Sequence, residues 1–401
     1  MIDIDDALGL VLDECQALPK CLYGLQDLVD HRLEEELFSD VNSPPFDKAM
    51  MDGYAIKAAD IHAGRRNLEV VGEITAGRHF SGTVQSGQAV QIMTGAPNPL
   101  GADCVVMVEQ TTRTNNGVEI QADVKAGQNI LRLGTAMKAG QVIMKPHHRI
   151  RPEDIGLLAE AGVTQAQVTP KPTLSVIATG DELVPVTSRP GDNQIRNSNG
   201  PMLAALAQPY CKKVSDLGIG PDSEQALTQV VGEGLKSDVL VLSGGVSAGV
   251  ADLVPGVLGA VGVRAVFHKV KIKPGKPIWF GVWESSNDRK TLVFGLPGNP
   301  VSSMVCFNVF VRPALLKLAG LESQVIDRHG KLIKDHHQRT GRTTYWPVQI
   351  KETPTGCFLD PLDWKGSADL VTLTHANGFA IFPGERSHFL KDETLSFIET
   401  D

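Results

Sequence analysis

The chain has 401 residues, 42% hydrophobic and 21% charged, which predicts a folded soluble protein with about two to four domains. Lys and Arg total 38 against 46 Asp and Glu, so the net charge is −8. This balance argues against broad binding to nucleic acid or to acidic membranes. An anionic ligand would have to meet a local cluster of basic side chains.

The cysteine pattern and the N-terminus argue against secretion. The six cysteines show no CxxC pair and no Cys/His ligand spacing, which favours reduced thiols in the cytoplasm. Residues Met1 to Asp6 lack the basic and apolar regions of a signal peptide. The apolar stretch Val239 to Val263 is interrupted by Asp252 and Pro255, so a soluble α/β core explains it better than a membrane span.

The first part of the chain predicts a short helix and then a small β domain. Apolar residues recur at helical spacing from Ile4 to Leu18. A second helix is predicted from Arg151 to Gly162, because Pro152 suits its first turn. Between them lie short β-favouring runs separated by glycine turns. These runs are Leu68 to Ile74, Gln88 to Met93, Cys104 to Val108 and Gly117 to Ile120.

The segment from Val41 to Ala55 allows two interpretations. Its Pro-Pro pair and its Asp52-Gly53 turn are compatible with an ordinary hairpin. Met50, Met51 and Tyr54 around one acid instead suggest an apolar pocket with a placed carboxylate. Further on, the long turn from Met93 to Pro99 has one distinctive side-chain group, the Thr94 hydroxyl.

From Pro172 onward, strands and helices alternate, which predicts a mostly parallel sheet with its ligand site beyond the carboxyl ends of the strands. Either Asn197 or Ser198 can cap the first of these helices. The predicted strands are Thr173 to Ala178, Val214 to Leu217, Val239 to Leu242, Ala265 to Ile272 and Leu292 to Leu296. The predicted helices are Met202 to Ala207, Ser223 to Gly234 and Val301 to Leu318.

Three polar or glycine-rich turns follow predicted strands. They are Thr179 to Glu182, Ser243 to Asp252, and Pro297 to Pro300. Small residues in the second turn would let backbone N–H groups approach a phosphate, although a tight turn uses glycine for purely steric reasons as well. Asp252 adds a carboxylate for a metal ion or a hydroxyl group.

The third turn suits either an anion site or a simple helix start. Asn299 suits an N-cap and Pro300 the first helical position, so the apolar helix that follows could be merely well capped. The exposed N–H groups and positive dipole end of a helix also attract anions, and Gly298 allows the backbone to approach a ligand closely.

A lysine-rich stretch offers the local positive charge that the chain as a whole lacks. As one strand, it would place Lys269, Lys271 and Lys273 on a single face. Such lysines can simply protect a sheet edge. The turn at Pro274-Gly275 brings Lys276 beside Lys273, which favours a site for a multiply charged anion.

From about Glu322 the sequence returns to short β-like runs, which predicts a separate C-terminal β domain. Val348 to Ile350 and Gly378 to Phe382 are two such runs. The same region contains the pairs Gly341-Arg342 and Gly366-Ser367.

Six motifs in this order resemble the molybdopterin molybdenumtransferase family, which includes MoeA and the gephyrin E domain. The match is colinear over nearly the whole chain, and six motifs in order are far more specific than any one. They are Pro45-Phe46-Asp47 with Met51-Asp52-Gly53-Tyr54-Ala55, Met93-Thr94-Gly95-Ala96-Pro97, Thr179-Gly180-Asp181-Glu182-Leu183, Ser243-Gly244-Gly245-Val246-Ser247, Lys273-Pro274-Gly275-Lys276-Pro277, and Gly295-Leu296-Pro297-Gly298-Asn299-Pro300-Val301-Ser302.

The resemblance implies a multidomain α/β protein that forms an elongated homodimer. Its implied domains are a molybdopterin-binding α/β domain (1–20 with 172–321), a linker or dimerisation domain (21–42 with 141–171), a β domain (43–140) and a C-terminal β domain (322–401). The implied reaction inserts molybdate into adenylylated molybdopterin, with Mg²⁺, and releases AMP. Transient contacts with a molybdopterin adenylyltransferase and with cofactor acceptors are also implied.

The resemblance also implies roles for individual residues. Those implied for catalysis are Asp52, Thr94, Glu182, Asp222, Asp252, Lys273 and Lys276, with Asp52 and Thr94 supplied by the partner subunit. Those implied for binding the pterin nucleotide or molybdate are Thr179, Gly180, Asp181, Ser243, Gly244, Gly245, Ser247, Pro297, Gly298, Asn299, Pro300, Ser302, Arg342 and Ser367. Mg²⁺ would be held by Asp181, Glu182 and Asp252, and molybdate would be surrounded by Lys273, Lys276, Ser302, Arg342 and Ser367.

Several positions depart from the family pattern. An acidic pair usually follows the glycine at position 134, but this chain has Thr135-Ala136. Leu253 and Pro255 replace an aromatic residue and a lysine, and Pro347 stands where a second arginine is common. Turnover is therefore reduced, or the missing acid is supplied elsewhere.

Other functions compete with molybdate insertion. The lost acid suits a cofactor-binding or scaffold paralogue with little catalysis. The preceding step, adenylyl transfer to molybdopterin, uses a similar α/β domain but usually without flanking domains. A nucleotide-dependent kinase is disfavoured, because the sequence has no GxxxxGK[ST] loop.

The altered acidic pair gives a direct test. If the missing acid limits activity, Ala136→Asp should raise molybdate-dependent AMP release above that of the unmodified protein. The measurement is AMP produced from adenylylated molybdopterin with Mg²⁺ and molybdate. An unchanged rate would show that this acid does not limit turnover.

Overall fold

A computed structural model of the chain describes residues 1–75, 77–115, 117–221, 223–245, 253–286, 289–323 and 328–400. The chain divides into two compact units. One unit comprises Met1–Cys21 with Thr169–Asp401, and the other comprises Leu22–Val168. Helix α1 (Ile4–Asp13) opens the first unit and is shorter than predicted.

The unit Leu22–Val168 is built on a six-stranded sheet with the order β8-β5-β7-β6-β10-β9, supported by short two- and three-stranded sheets. Its strands are β1 (Cys21–Gly24), β2 (Arg32–Leu33), β3 (Leu37–Phe38), β4 (Lys48–Ala49), β5 (Gly53–Ile56), β6 (Asn67–Ile74), β7 (Gln88–Ile92), β8 (Cys104–Met107), β9 (Thr111–Thr114), β10 (Gly117–Ile120), β11 (Ile130–Leu131), β12 (Val142–Met144) and β13 (Gln165–Thr169). Its helices are α2 (Ala58–His62) and α3 (Pro152–Glu160).

The four β runs predicted for this unit are confirmed as β6, β7, β8 and β10, and the predicted helix is confirmed as α3. The suggested apolar pocket around Asp52 is wrong within this unit. Met50 and Met51 are 48% and 41% exposed, whereas Tyr54 is buried in the core. Two of the three apolar side chains are therefore exposed to solvent and do not form a buried pocket.

The other unit contains a second six-stranded sheet with the order β17-β14-β18-β22-β21-β19. The strands between residues 173 and 296, which include three outside this sheet (β15, β16 and β20), are β14 (Thr173–Ala178), β15 (Leu183–Val184), β16 (Ile195–Arg196), β17 (Lys213–Ile219), β18 (Val239–Ser243), β19 (Arg264–His268), β20 (Ile272–Lys273), β21 (Trp279–Glu284) and β22 (Lys290–Leu296). Its helices include α4 (Asn199–Ala207), α5 (Glu224–Gly234), α6 (Leu253–Ala260), α7 (Pro300–Cys306) and α8 (Arg312–Leu318), with a π-helical turn at Phe307–Val311 between the last two.

The predicted parallel core is confirmed. Strands β17, β14, β18 and β22 pair in parallel. Every residue of β18 is buried, as expected of a strand that is covered on both faces. One edge of this mostly parallel sheet is antiparallel, because β21, a strand that was not predicted from the sequence, pairs antiparallel with both β22 and β19.

The predicted strand from Ala265 to Ile272 is confirmed only as far as His268. Strand β19 ends at His268, and Lys269 adopts a left-handed backbone conformation with φ of 71°. Strand β20 then begins at Ile272 and pairs with another sheet. Lys269, Lys271 and Lys273 therefore do not share one strand face.

The C-terminal region forms a third six-stranded sheet with the order β20-β25-β26-β23-β29-β27. Pairing of β25 with β27 closes it into a barrel-like form. Its elements are β23 (Arg328–Leu332), β24 (His336–His337), β25 (Thr343–Thr353), β26 (Gly356–Pro361), α9 (Leu370–Leu373), β27 (Gly378–Phe382), β28 (His388–Phe389) and β29 (Thr394–Glu399). Side chains of this sheet join the α/β core, as Phe379 and Ile398 pack in the same cluster as Phe294.

The helical segment Pro300–Leu318 is long and apolar enough to cross a membrane by length and composition. However, 78% of it is buried inside the protein, which is typical of a core helix. All six cysteines are free thiols.

The buried central strand predicts a clear stability difference between two valines. Val241 in β18 is fully buried, whereas Val371 in α9 is 71% exposed. Val241→Ala should lower the free energy of unfolding by about 2 kcal/mol, because it leaves a cavity in the core. Val371→Ala should be nearly neutral. Urea unfolding of both variants tests this, and equal losses would contradict it.

Candidate functional site

The carboxyl ends of three neighbouring strands open into one cavity of about 270 Å³. We call it the turn cavity, because the turns after β14, β18 and β22 line it. Six of the predicted site residues meet there, although they come from three separate stretches of the sequence. They are Thr179, Glu182, Ser243, Gly298, Asn299 and Pro300.

Glycine is required at position 244 because two turns approach each other closely. A Cβ atom on Gly244 would lie 2.1 Å from the Thr179 carbonyl oxygen, and the residue has a φ of 93°. A Cβ on Gly245 would lie 2.8 Å from the Thr179 hydroxyl. The Gly244 N–H donates to the carbonyl oxygen of Leu296 at 3.0 Å. The steric interpretation thus accounts for Gly244, and its N–H is already engaged within the protein.

Asn199 connects the turns, and the sequence interpretation missed it. Its Nδ2 donates to the Ser243 hydroxyl and to the Gly298 carbonyl oxygen, both at 2.7 Å. The nearby Asn197 caps the helix, because its Oδ1 accepts from the N–H of Gly200 at 3.0 Å. The Ser198 side chain makes no capping bond. The asparagine pair around Ser198 was the available signal, but it suggested a cap and nothing more.

The predicted metal ligands are only partly within the described structure. Asp181 and Glu182 are both exposed, and Glu182 lines the turn cavity. Asp222, Ser247 and Asp252 lie outside the described residues. Among the residues that are described, no group of three or more His, Cys, Asp or Glu side chains could hold a metal ion. Two adjacent carboxylates still offer the oxygen ligands that Mg²⁺ prefers.

A second cavity of about 730 Å³ gathers all five residues predicted to surround molybdate. We call it the basic cleft. Those five are Lys273, Lys276, Ser302, Arg342 and Ser367. The sequence interpretation missed four more lining residues, which are Arg339, Trp346, Trp364 and Lys365. No acidic side chain is among the lining residues in the described part of the chain.

Backbone contacts fix the walls of the basic cleft. Arg342 Nη1 donates to the carbonyl oxygen of Ile272 at 3.1 Å, where β20 pairs with β25. A Cβ on Gly275 would lie 2.6 Å from the sulfur of Cys306, so the turn between the two lysines packs directly on α7. The N–H of Val301 donates to the Ser367 carbonyl oxygen at 3.1 Å.

The positive charges of the basic cleft repel one another. Partial burial, together with the nearby Arg342 and Arg339 guanidiniums, lowers the pKa of Lys273. The ammonium form of Lys273 is therefore less favourable here than in water. An anion in the basic cleft would reverse this effect, because an opposite charge nearby favours the charged form of a lysine.

Asp52 and Thr94 form a pair within the unit Leu22–Val168. Asp52 Oδ1 accepts from the Thr94 N–H at 2.6 Å and from its hydroxyl at 2.7 Å. The backbone N–H of Thr94, followed by its hydroxyl, lowers the pKa of Asp52. The exposed carboxylate therefore stays ionised to a lower pH than an ordinary aspartate.

Comparison with known proteins identifies the family. Residues 2–162 match the family model of the MoeA N-terminal region (domain I and II), and residues 175–317 match that of a probable molybdopterin binding domain. A Staphylococcus aureus protein named molybdopterin molybdenumtransferase is 32% identical over 408 residues, covering 100% of this chain and 96% of that protein. The chain belongs to the molybdopterin molybdenumtransferase family.

Other members of the family agree. The Staphylococcus epidermidis molybdopterin molybdenumtransferase is 31% identical, with the same coverage of 100% and 96%. The crystal structure of a molybdopterin biosynthesis moeA protein from Pyrococcus horikoshii has a TM-score of 0.80 and is 26% identical, and each chain is covered completely, at 100%. The predicted family and multidomain α/β fold are confirmed.

The Asp52–Thr94 pair can be tested by titration. Thr94→Val should raise the pKa of Asp52 toward its ordinary value, because the hydroxyl donor is lost while the backbone N–H remains. Thr94→Ser keeps both donors and should titrate like the original protein. NMR observation of the ¹³C-labelled Asp52 carboxyl carbon during acid titration measures this. Identical titration of Thr94→Val and Thr94→Ser would contradict it.

Proposed function

We propose that the protein inserts molybdate into adenylylated molybdopterin, with Mg²⁺-dependent release of AMP. Membership of the family supports this assignment, and the observation that carries it is the basic cleft. Five cationic side chains line that cleft in a protein whose net charge is −8, and no described carboxylate lines it. A tetrahedral dianion is a suitable ligand for such a site.

The basic cleft would bind the oxyanion through complementary kinds of donor. Lys273 and Lys276 supply ammonium groups that act as compact charges, whereas Arg342 offers a planar fork of N–H donors. Ser302 is 4% exposed and lines the cleft, so its hydroxyl faces little competing water. A bound dianion would also offset the partial burial and the repulsion by Arg342 and Arg339 that together lower the pKa of Lys273.

The turn cavity would bind the pterin nucleotide next to the oxyanion. The two cavities adjoin at the start of α7, where Pro300 lines the turn cavity and Ser302 lines the basic cleft. The loop between β26 and α9 shows the same arrangement, because Ala368 lines the turn cavity and Ser367 lines the basic cleft. This adjacency would hold the pterin dithiolene and the oxyanion close together, which is how positioning accelerates a reaction between two bound groups.

Asp181 and Glu182 would hold Mg²⁺, together with Asp252. When bound, the ion would neutralise charge on the phosphoanhydride that is cleaved to release AMP. Glu182 would orient the ion from the wall of the turn cavity. The roles of Asp222, Ser247 and Asp252 remain predictions.

The proposal includes a cytoplasmic homodimer in which Asp52 and Thr94 serve the partner subunit. The ionised Asp52 carboxylate, held by Thr94, would orient a reacting hydroxyl or water. Transient contacts with an adenylyltransferase and with cofactor acceptors complete the proposal. The alternative of a cofactor-binding or scaffold paralogue is favoured by Ala136, which is exposed and carries no acid.

AMP release tests the proposed function. Purified protein with adenylylated molybdopterin, Mg²⁺ and molybdate should release AMP. Lys276→Gln should raise the molybdate concentration for half-maximal release by about tenfold or more, because a charge-assisted contact is lost.

Lys271→Gln is the matched control. This lysine belongs to the same stretch, but its ammonium pairs with Asp3 at 3.0 Å and it lines a different cavity. Its molybdate dependence should be unchanged. Tight binding of the nucleotide without oxyanion-stimulated AMP release would favour the scaffold alternative. Failure to bind adenylylated molybdopterin would contradict both molybdate insertion and the scaffold alternative.

A further inference from the structure

Asn199 has a hydrogen-bond acceptor that none of the described residues satisfies. The residue lines the turn cavity and is 7% exposed. Both hydrogens of its Nδ2 are used, one by the Ser243 hydroxyl and one by the Gly298 carbonyl oxygen. Its Oδ1 is buried and has no hydrogen-bond partner in the described part of the chain. Buried polar atoms without partners are uncommon and unfavourable.

The orientation of the amide is fixed by its neighbours. The Gly298 carbonyl oxygen can only accept a hydrogen bond, so the nitrogen of Asn199 must face it. The reversed amide would set two oxygens against each other. The unsatisfied atom is therefore a carbonyl oxygen, which requires an N–H or O–H donor.

This requirement excludes some ligand groups and favours others. Phosphate and molybdate oxygens that carry no proton can only accept hydrogen bonds, and they would be repelled by Oδ1. Leu183, Ile195 and Leu370 line the same cavity, and their apolar side chains suit the faces of a planar ring better than a charged group. An exocyclic amino group on an aromatic heterocycle combines the donor with the ring.

We propose that Asn199 determines specificity in the turn cavity by accepting a hydrogen bond from the exocyclic amino group of the heterocycle of the ligand. The inference rests on the proposed function and deepens it. Under this proposal, the heterocycle of the ligand and not its phosphates lies beside Ser243, whose buried hydroxyl accepts a hydrogen bond from Asn199. The amino group belongs either to the pterin or to the adenine of the adenylylated substrate.

Two pairs of probes distinguish these sources. Pterin and lumazine differ by an amino group replaced with an oxo group, and AMP and IMP differ in the same way. The original protein should bind the amino member of one pair about tenfold more tightly than the oxo member, because the oxo group replaces the donor with an acceptor. Preference within the pterin pair assigns the site to the pterin, and preference within the nucleotide pair assigns it to adenine.

Two variants separate specificity from a structural role. Asn199→Ala should lose the amino preference. Asn199→Asp keeps an acceptor oxygen and should retain the preference, although its second oxygen faces the Gly298 carbonyl oxygen and should lower the affinity for both members of a pair. If Asn199 acts only through its two Nδ2 hydrogen bonds, both variants should lose affinity, and by the same factor for the amino and the oxo member of each pair. Asn308→Ala is the control for folding, because Asn308 is 2% exposed but lines another cavity. Isothermal titration calorimetry gives the affinities, and thermal unfolding confirms that each variant is folded.

Each outcome decides between the two proposals. Binding of a pair by the original protein with an amino preference that Asn199→Ala retains would overturn the role of Asn199 and leave the proposed function intact. Binding of both pairs without any preference would do the same. Absence of binding to all four probes would overturn the role of Asn199. If adenylylated molybdopterin also failed to bind, the proposed function would fail with it.

Discussion

The contact between Gly244 and the Thr179 carbonyl oxygen is the constraint on which the turn cavity depends. Strands β14 and β18 are parallel neighbours, so their carboxyl ends must turn away side by side in a narrow space. A side chain at position 244 would collide with the backbone at 2.1 Å, where no rotamer change could help. The two turns can lie together only because one of them lacks a Cβ, and this closeness brings Ser243 and Thr179 to one cavity.

Hydrogen bonds connect these two turns to other parts of the same unit. The amide of Asn199 joins the start of α4 to the end of β18 and to the turn before α7. Helix α7 then receives the loop from the C-terminal region, because the N–H of Val301 donates to the Ser367 carbonyl oxygen. The turn cavity and the basic cleft therefore share a boundary at the start of α7. A change in one of these contacts affects the position of groups in both cavities.

Local signals in the sequence predicted the parallel core and the turns, but not the contacts that depend on distant pairing. A fully apolar run such as Val239 to Leu242 is specific enough to predict β18, and a strand end is a sufficient reason to look for a ligand. The left-handed backbone at Lys269 has no local signal, because lysine rarely adopts it. Trp364 and Arg339 reach the basic cleft from loops that follow β26 and β24, and Asn199 contacts residues 44 and 99 positions away.

The charge distribution makes the basic cleft a selective feature of an otherwise acidic protein. At a distance, a net charge of −8 repels anions, and salt screens this repulsion beyond about 10 Å. Inside the basic cleft, the five nearby cationic side chains make the local electrostatic potential positive, and this outweighs the effect of the negative net charge. The lowered pKa of Lys273 means that partial burial, together with the neighbouring arginines, disfavours its ammonium form in the folded chain. A bound dianion would offset this cost in the folded state alone, and oxyanion binding would thereby be coupled to the stability of the cleft that holds it.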